Sequence, residues 1–222
     1  VTMAGDTYTA IVPVKHLALA KRRLHTDETV RRAFAMAFLR DVQDALAVCD
    51  RVRHVVVVTS DEAVLRESAQ RGVLAVAEPA HRASRSLRTA IELGLHYLST
   101  EGVSGPVAVL PSDLPCVTPA ALAAALATAS QHRMAFVPDH SGTGTTLLTA
   151  RSAGSMKHRF GPESARLHRA TGAVELASVS DLLRRDVDEP RDLRAAWRLG
   201  VGRHTCALSG HVELAAQRVQ VG

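Results

Sequence analysis

Short apolar runs alternate with longer stretches of helical period along the first half of the chain. "YTAIVPV" (8–14), "VRHVVVVTS" (52–60), "VLAVAE" (73–78) and "PVAVL" (106–110) read as strands, the second of them buried, and the last is short, β-branched-rich and without a polar face, the pattern of a strand covered on both faces. Between them, the helix "TVRRAFAMAFLRDVQDALAVC" opens near Asp27 and repeats apolar residues through Phe34, Phe38, Val42 and Leu46. "DEAVLRESAQR", closed by Gly72, and "SLRTAIELGLHYLS" are two more helices. Strict alternation of this kind predicts parallel βαβ units.

The rhythm changes after a helix that starts at Pro119, capped by Thr118. "MAFVPD" and "TTLLTA" are short strands joined by the glycine-rich "HSGTG", as a hairpin or a crossover, and "RFGPESARLHRATGAVEL" reads as loop, short helix and strand. These predict a mixed, partly antiparallel lid. "RRDVDEPRDLRAAWRLG" predicts a strand end, a turn and a helix stopped at Gly200. The expectation is one domain over 1–202 and a weakly patterned, loose tail over 203–222.

Composition narrows the classes. With 222 residues, 46% hydrophobic and 22% charged, the chain buries a full core, and no apolar run approaches the roughly 20 residues of a membrane span. The opening residues lack a basic start followed by an apolar stretch, which predicts a cytoplasmic protein. A net charge of +5 invites nucleic acid, yet aromatics are only 3% and arginine is spread along the chain, so base-stacking platforms are scarce. Three distant cysteines predict neither disulfides nor zinc, and eleven histidines without metal spacing read as scattered surface or turn residues.

Chemistry concentrates at strand ends. In "VLPSDLPCVTP" the chain leaves a buried strand at once, which puts Ser112 and Asp113 at its carboxyl edge, where open α/β sheets bind ligands. An Asx turn alone also accounts for Asp113. Only three lysines occur, and Lys15 and Lys21 share the loop after the first strand with Arg23. Together they suit a polyphosphate, the alternative being a solvated basic loop. Neither G-x-x-x-x-G-K-[ST] nor G-x-G-x-x-G is present, which counts against a P-loop enzyme and a dinucleotide dehydrogenase. In "DVDEP", Asp188 is either an N-cap or, with Asp113, half of a carboxylate pair for Mg2+, and Asp186, which strand alternation would point to the other face, is the competing member. Thr145, Thr146 and Ser164 add hydroxyl donors beside glycines whose backbone can approach an anion.

Taken together, "VPVKHLALAKRRL", "PSDLP", "GTGTTLLTA", "RFGPESARLH…GAVEL" and "DVDEPRDLRAA…LGVG" resemble the guanylyltransferases that activate phosphoenolpyruvate or 2-phospho-L-lactate in biosynthesis of the deazaflavin coenzyme F-420. The resemblance runs from about Ile11 to Gly202. It implies a nucleotidyltransferase fold of the nucleotide-diphospho-sugar transferase kind, a three-layer α/β/α sandwich on a mixed sheet, with GTP and a small phosphorylated acid as partners. By this resemblance Asp113 and Asp188 hold Mg2+, and Lys15, Lys21, Arg23 and Ser112 face the GTP. Thr145, Thr146, Gly161 and Ser164 hold the acid. Phosphoenolpyruvate is the expected acceptor, with 2-phospho-L-lactate and 3-phospho-D-glycerate as alternatives. A sugar 1-phosphate or molybdopterin acceptor is disfavoured by the missing glycine-rich first loop, and a non-catalytic GTP-binding regulator is the rival of another class. One position departs from the family pattern: Arg88 stands where relatives commonly carry asparagine, exchanging a donor and acceptor for a donor only.

Overall fold

Why the first-half runs form strands is clear from what covers them. In the computed structural model, which describes residues 7–79 and 86–210, β1 (Tyr8–Val14) is buried along its whole length. Ala10, Val12 and Val14 turn into one apolar cluster, and Ile11 turns into another on the opposite face. β2 (Val52–Thr59), β3 (Leu74–Ala77) and β4 (Val107–Val109) join it in parallel. α1 (Glu28–Val48) and α2 (Glu62–Gln70) begin at Asp27 and Asp61, whose carboxylates accept the orphan N–H groups of the first turn. α1 covers one face, and α3 (Leu87–Thr100) covers the other. Gly94 lets α3 approach closely: a Cβ there would lie 2.9 Å from Ile11 Cγ2.

β5 (Met134–Pro138) and β6 (Thr145–Ala150) form an antiparallel hairpin after α4 (Pro119–Ala129). They build no separate lid. β6 pairs antiparallel with β4, so the sheet runs on as β3-β2-β1-β4-β6-β5-β7, with β7 (Val174–Glu175) as its far edge. Both hairpin strands are buried along their whole length, as central strands are, and the sheet continues because β4 offers it a free edge.

The expected strand end before "DVDEP" is absent. Residues 181–184 form the short helix α6 (Asp181–Arg184), and the chain then crosses the ends of the strands without pairing beside one. Arg184 donates to the carbonyls of Pro138 and Asp139, fixing the crossing to the hairpin. Fully buried Val187 donates its N–H to the Asp113 carbonyl at 3.1 Å. α7 (Pro190–Leu199) follows.

The tail is not loose where it begins. Residues 203–206 form α8 (Arg203–Cys206), and the buried Asp41 carboxylate of α1 accepts from His204 N, Thr205 N and Thr205 Oγ1. Residues 211–222 lie outside the described residues. Among the described residues no helix is long and apolar enough to cross a membrane, and Cys49, Cys116 and Cys206 are free.

Candidate active site

Parallel strands end together, so the loops after β1, β2, β3 and β4 meet at one edge of the sheet. A cavity of about 420 Å³ opens there between Lys15, Ser60, Glu78, Ser86 and Leu87. A smaller cavity of about 130 Å³ adjoins it, bounded by Lys21, Ser112, Asp113 and Asp188. Lys15 borders both. Asp61 fixes the loop that carries the lysines, accepting from the Leu17 N–H at 2.9 Å while it caps α2.

The residues expected at the nucleotide phosphates are brought together. Lys21 Nζ donates to Asp113 Oδ2 at 2.6 Å and Asp188 Oδ1 at 2.9 Å. Arg23 reaches Asp188 Oδ2 and Glu189 Oε1 from the solvent side. Burial acts to lower the Lys21 pKa, and the two carboxylates outweigh it, so the net shift is upward. Asp188 is held below the usual carboxylate range, burial being opposed by Lys21 and then Arg23. Lys21 takes φ +53°, a left-handed conformation that an L side chain adopts at a cost and that collects at functional sites.

Two expectations for this region change. Asp188 is not the N-cap of α7: Pro190 is its first residue, so Glu189 takes that place and pairs with Asp192 in a capping box. The Asp188 carboxylate is therefore released to Lys21 and Arg23. Asp186 was expected to point away by strand alternation, which fails without a strand. Its carboxyl is instead pushed up to about 7, first by burial and then by Asp113, Asp139 and Asp188. Among the described residues no three histidine, cysteine or acidic side chains are grouped to hold a metal ion. Asp113 Oδ1 is buried and has no hydrogen-bond partner.

β6 runs opposite to β4, so its first residue arrives at the same edge. Val109 pairs with Leu148, which carries Thr145 beyond the end of β4, level with the Asp113 turn. A register shift between Val137 and Pro138 breaks the alternation there. Thr145 thereby meets α5 (Ser164–Ala170), although Leu147 belongs to the opposite cluster.

The hydroxyls expected at the acceptor are organised by a residue the sequence did not single out. His168 is fully buried, stacked edge-on to Phe160. Its Nε2 accepts the Arg159 N–H at 2.8 Å, which leaves the neutral ring's proton on Nδ1 to be donated to Thr145 Oγ1 at 2.9 Å. Burial pushes the imidazole down to about 4. Ser164 Oγ also donates to Thr145, at 3.1 Å. Both lone pairs of Thr145 are thus taken, and its own hydrogen is the one left to give. Thr146 Oγ1 is buried with no partner. Gly161, at φ +129°, makes the turn below them. Only the helical spacing of Ser164 and His168 in "SARLH" could have signalled the histidine.

The comparisons with known proteins cover the same span. A phosphoenolpyruvate guanylyltransferase of Streptomyces coelicolor is 41% identical over 213 residues, 95% of this chain and 99% of that one. One from Geodermatophilus obscurus is 41% identical over 215 residues, covering 94% and 96%. Among solved structures, a putative nucleotide-diphospho-sugar transferase from Desulfovibrio desulfuricans G20 superimposes with a TM-score of 0.70 at 16% identity, covering 95% of this chain and 97% of that one. A 4-diphosphocytidyl-2C-methyl-D-erythritol synthase gives 0.61 at 14%, covering 87% and 99%. These share the three-layer fold. The model of the CofC-like guanylyl transferase family matches residues 8–213, and with relatives about two-fifths identical over nearly their whole length, the chain belongs to that family.

Proposed function

We propose that the protein transfers GMP from GTP to the phosphate of phosphoenolpyruvate with release of pyrophosphate, in the cytoplasm and in service of coenzyme F-420 biosynthesis. The observation that carries this reading is the meeting of two unlike regions at one sheet edge. A cluster of lysines and carboxylates borders a nucleotide-sized cavity, and a group of buried, uncharged hydroxyls arrives at the same edge. The relatives' name supplies the acceptor.

GTP binds with its nucleoside in the larger cavity and its phosphates toward Lys15 and Lys21. Lys15 stands where the two cavities join, placed to balance triphosphate charge as an exposed point cation. Lys21 holds the Asp113 and Asp188 carboxylates together. Thr145, with its lone pairs filled, gives its hydrogen to the acid, and Thr146, Ser164 and the Gly161 turn complete the pocket. An acceptor phosphate oxygen then attacks the α-phosphorus of GTP as the bond to the β-phosphate breaks. Such a transfer needs alignment and charge neutralisation, with no protein nucleophile.

Mg2+ fits this donor set. A magnesium ion takes one or two carboxylates with substrate phosphates, and the unpartnered Asp113 Oδ1 is a buried oxygen in want of a positive charge. Held by Asp113 and Asp188, the ion would neutralise developing charge on the phosphates. The test offers GTP and Mg2+ with phosphoenolpyruvate, 2-phospho-L-lactate or 3-phospho-D-glycerate, and follows pyrophosphate release and product mass. Guanylylated phosphoenolpyruvate is expected as the main product. Bound GTP without pyrophosphate from any acid would leave a non-catalytic GTP-binding protein.

A further inference from the structure

The buried groups assigned to the acceptor are neutral, and the proposed substrate is not. Thr145, Thr146, Ser164 and His168 offer hydroxyls and an uncharged ring, whereas a phosphorylated carboxylic acid brings an anion at each end. Taking a carboxylate out of water is costly unless a cation or several donors receive it. The phosphate end must face the α-phosphorus of GTP, toward the lysine and aspartate cluster. The carboxylate is left for the other end of the pocket.

The cations near the pocket can be weighed one by one. Lys21 is taken up by Asp113 and Asp188, and Arg23 by Asp188 and Glu189. Arg159, exposed like Arg88, turns one terminal nitrogen back to the carbonyl of its neighbour His158. Arg88 differs from all of these. It stands on the first turn of α3, next to Ser86 and Leu87 of the nucleotide cavity. From there its Nε donates to the Phe160 carbonyl at 2.8 Å, 72 residues along the chain. Its Nη2 lies 3.9 Å from where a Cβ on Gly161 would be. At φ +129° that position favours glycine, and the guanidinium lies in van der Waals range of the Cβ position of that turn. No described residue hydrogen-bonds Nη1 or Nη2. The Nε bond fixes the plane of the fork, and its two outer nitrogens stay available.

We propose that Arg88 is a specificity-determining residue of the acceptor pocket: anchored on the Phe160 carbonyl over the Gly161 turn, it presents its terminal nitrogens to the carboxylate of the phosphorylated acid. This deepens the proposed function and rests on it.

The test is steady-state kinetics of the full chain with Arg88→Met, which keeps the stem and removes the fork, and Arg88→Lys, which keeps the charge and loses the planar geometry. For Arg88→Met the KM for phosphoenolpyruvate should rise about tenfold or more, as for loss of a charge-assisted pair. The KM for GTP and the melting temperature should hold. Arg88→Lys should fall between wild type and Arg88→Met, because an ammonium supplies charge without the fork. Adding guanidinium ion to Arg88→Met should recover part of the acid affinity. The inference is overturned if the acid KM stays within about twofold of wild type. It is equally overturned if the GTP KM and melting temperature move in step with the acid KM, since Arg88 would then only staple the turn. A wild-type protein that guanylylates none of the three acids would instead remove the proposed function itself.

Discussion

The two halves of the cleft handle charge in opposite ways. On the nucleotide side, ionised groups are set against one another: Lys21 between Asp113 and Asp188, with Arg23 closing the set from solvent. On the acceptor side the buried groups are neutral dipoles, and direction replaces charge. Arg159 N–H fixes the His168 tautomer, and His168 commits Thr145 to donate. Each half also holds one of the two non-glycine residues with positive φ among those described, Lys21 and Glu163. An ion cluster adapts to polyphosphate and metal by exchanging partners, whereas a set of oriented hydroxyls selects one small shape. In the proposed function the same edge would therefore join a tolerant charge binder to a discriminating set of hydroxyls.

The largest test of that contrast is Asp113→Asn. Asparagine keeps the size and the turn hydrogen bonds of aspartate, but it removes one of the two charges facing Lys21. We expect kcat/KM to fall on the order of a hundredfold or more with the fold intact. Kinetics over a range of Mg2+ concentrations, with a melting curve as control, would check it. A folded Asp113→Asn enzyme with near-normal turnover would break the picture of an ionic half.

Next in size is the comparison of lysines. Lys15→Met and Lys21→Met should each raise the GTP KM by about tenfold or more, because each removes a cation bordering the phosphate cavity. Lys157→Met should leave it unchanged. Lys157 lines a separate hollow with Arg133 and Arg151. Equal effects in all three variants would mean that bulk positive charge, not placement, serves the nucleotide.

How much of this was legible in the chain follows the same division. The ionic half was readable because its residues are rare types at strand ends: two of three lysines in one loop, and an aspartate between a buried strand and a proline turn. Periodicity placed β1 and α1 almost to the residue for a related reason, since β1 is buried along its whole length and α1 buries one face from Phe34 to Leu46. What escaped reading depends on contacts distant in sequence. Asp41 sits inside an apolar helix, and nothing local shows that it holds residues 204 and 205. Asp186 follows the alternation of a strand that the crossing over Asp113 never forms. His168 looks like any surface histidine until the Phe160 turn buries it.

His168 gives a third test, on the neutral half. His168→Gln is uncharged at every pH and keeps one donor and one acceptor, so the acid KM should rise by about tenfold at most while the GTP KM holds. Its pH behaviour has a fixed sign. The unfolded chain protonates this imidazole below its ordinary value of 6.5, and the folded chain only below about 4. The stability contributed by the neutral ring is complete above 6.5 and is lost as the pH falls toward 4. The melting-temperature advantage of wild type over His168→Gln should shrink through that window, a difference in which the titration of Asp186 cancels. An unchanged gap from pH 7 to 4.5 would mean that His168 carries its proton in the fold and that the pocket is not neutral.

The smallest effect is expected at Ser164. Its hydroxyl donates to Thr145 and keeps its own lone pairs, so Ser164→Ala removes one of the two donors that fill Thr145 and leaves His168 in place. Thr145 is then free to accept as well as donate, and an anion gains nothing from an acceptor turned toward it. Loss of one neutral hydrogen bond is typically about 1 kcal/mol, which corresponds to roughly fivefold in the acid KM. The GTP KM should not move, because Ser164 touches none of the groups around Lys21. A Ser164→Thr variant, which restores the hydroxyl with one added methyl, should recover most of the loss if the hydrogen bond matters and little of it if shape alone does. Should the GTP KM rise with the acid KM in Ser164→Ala, the two halves would be one site, and the boundary drawn here between ionic and neutral recognition would fall.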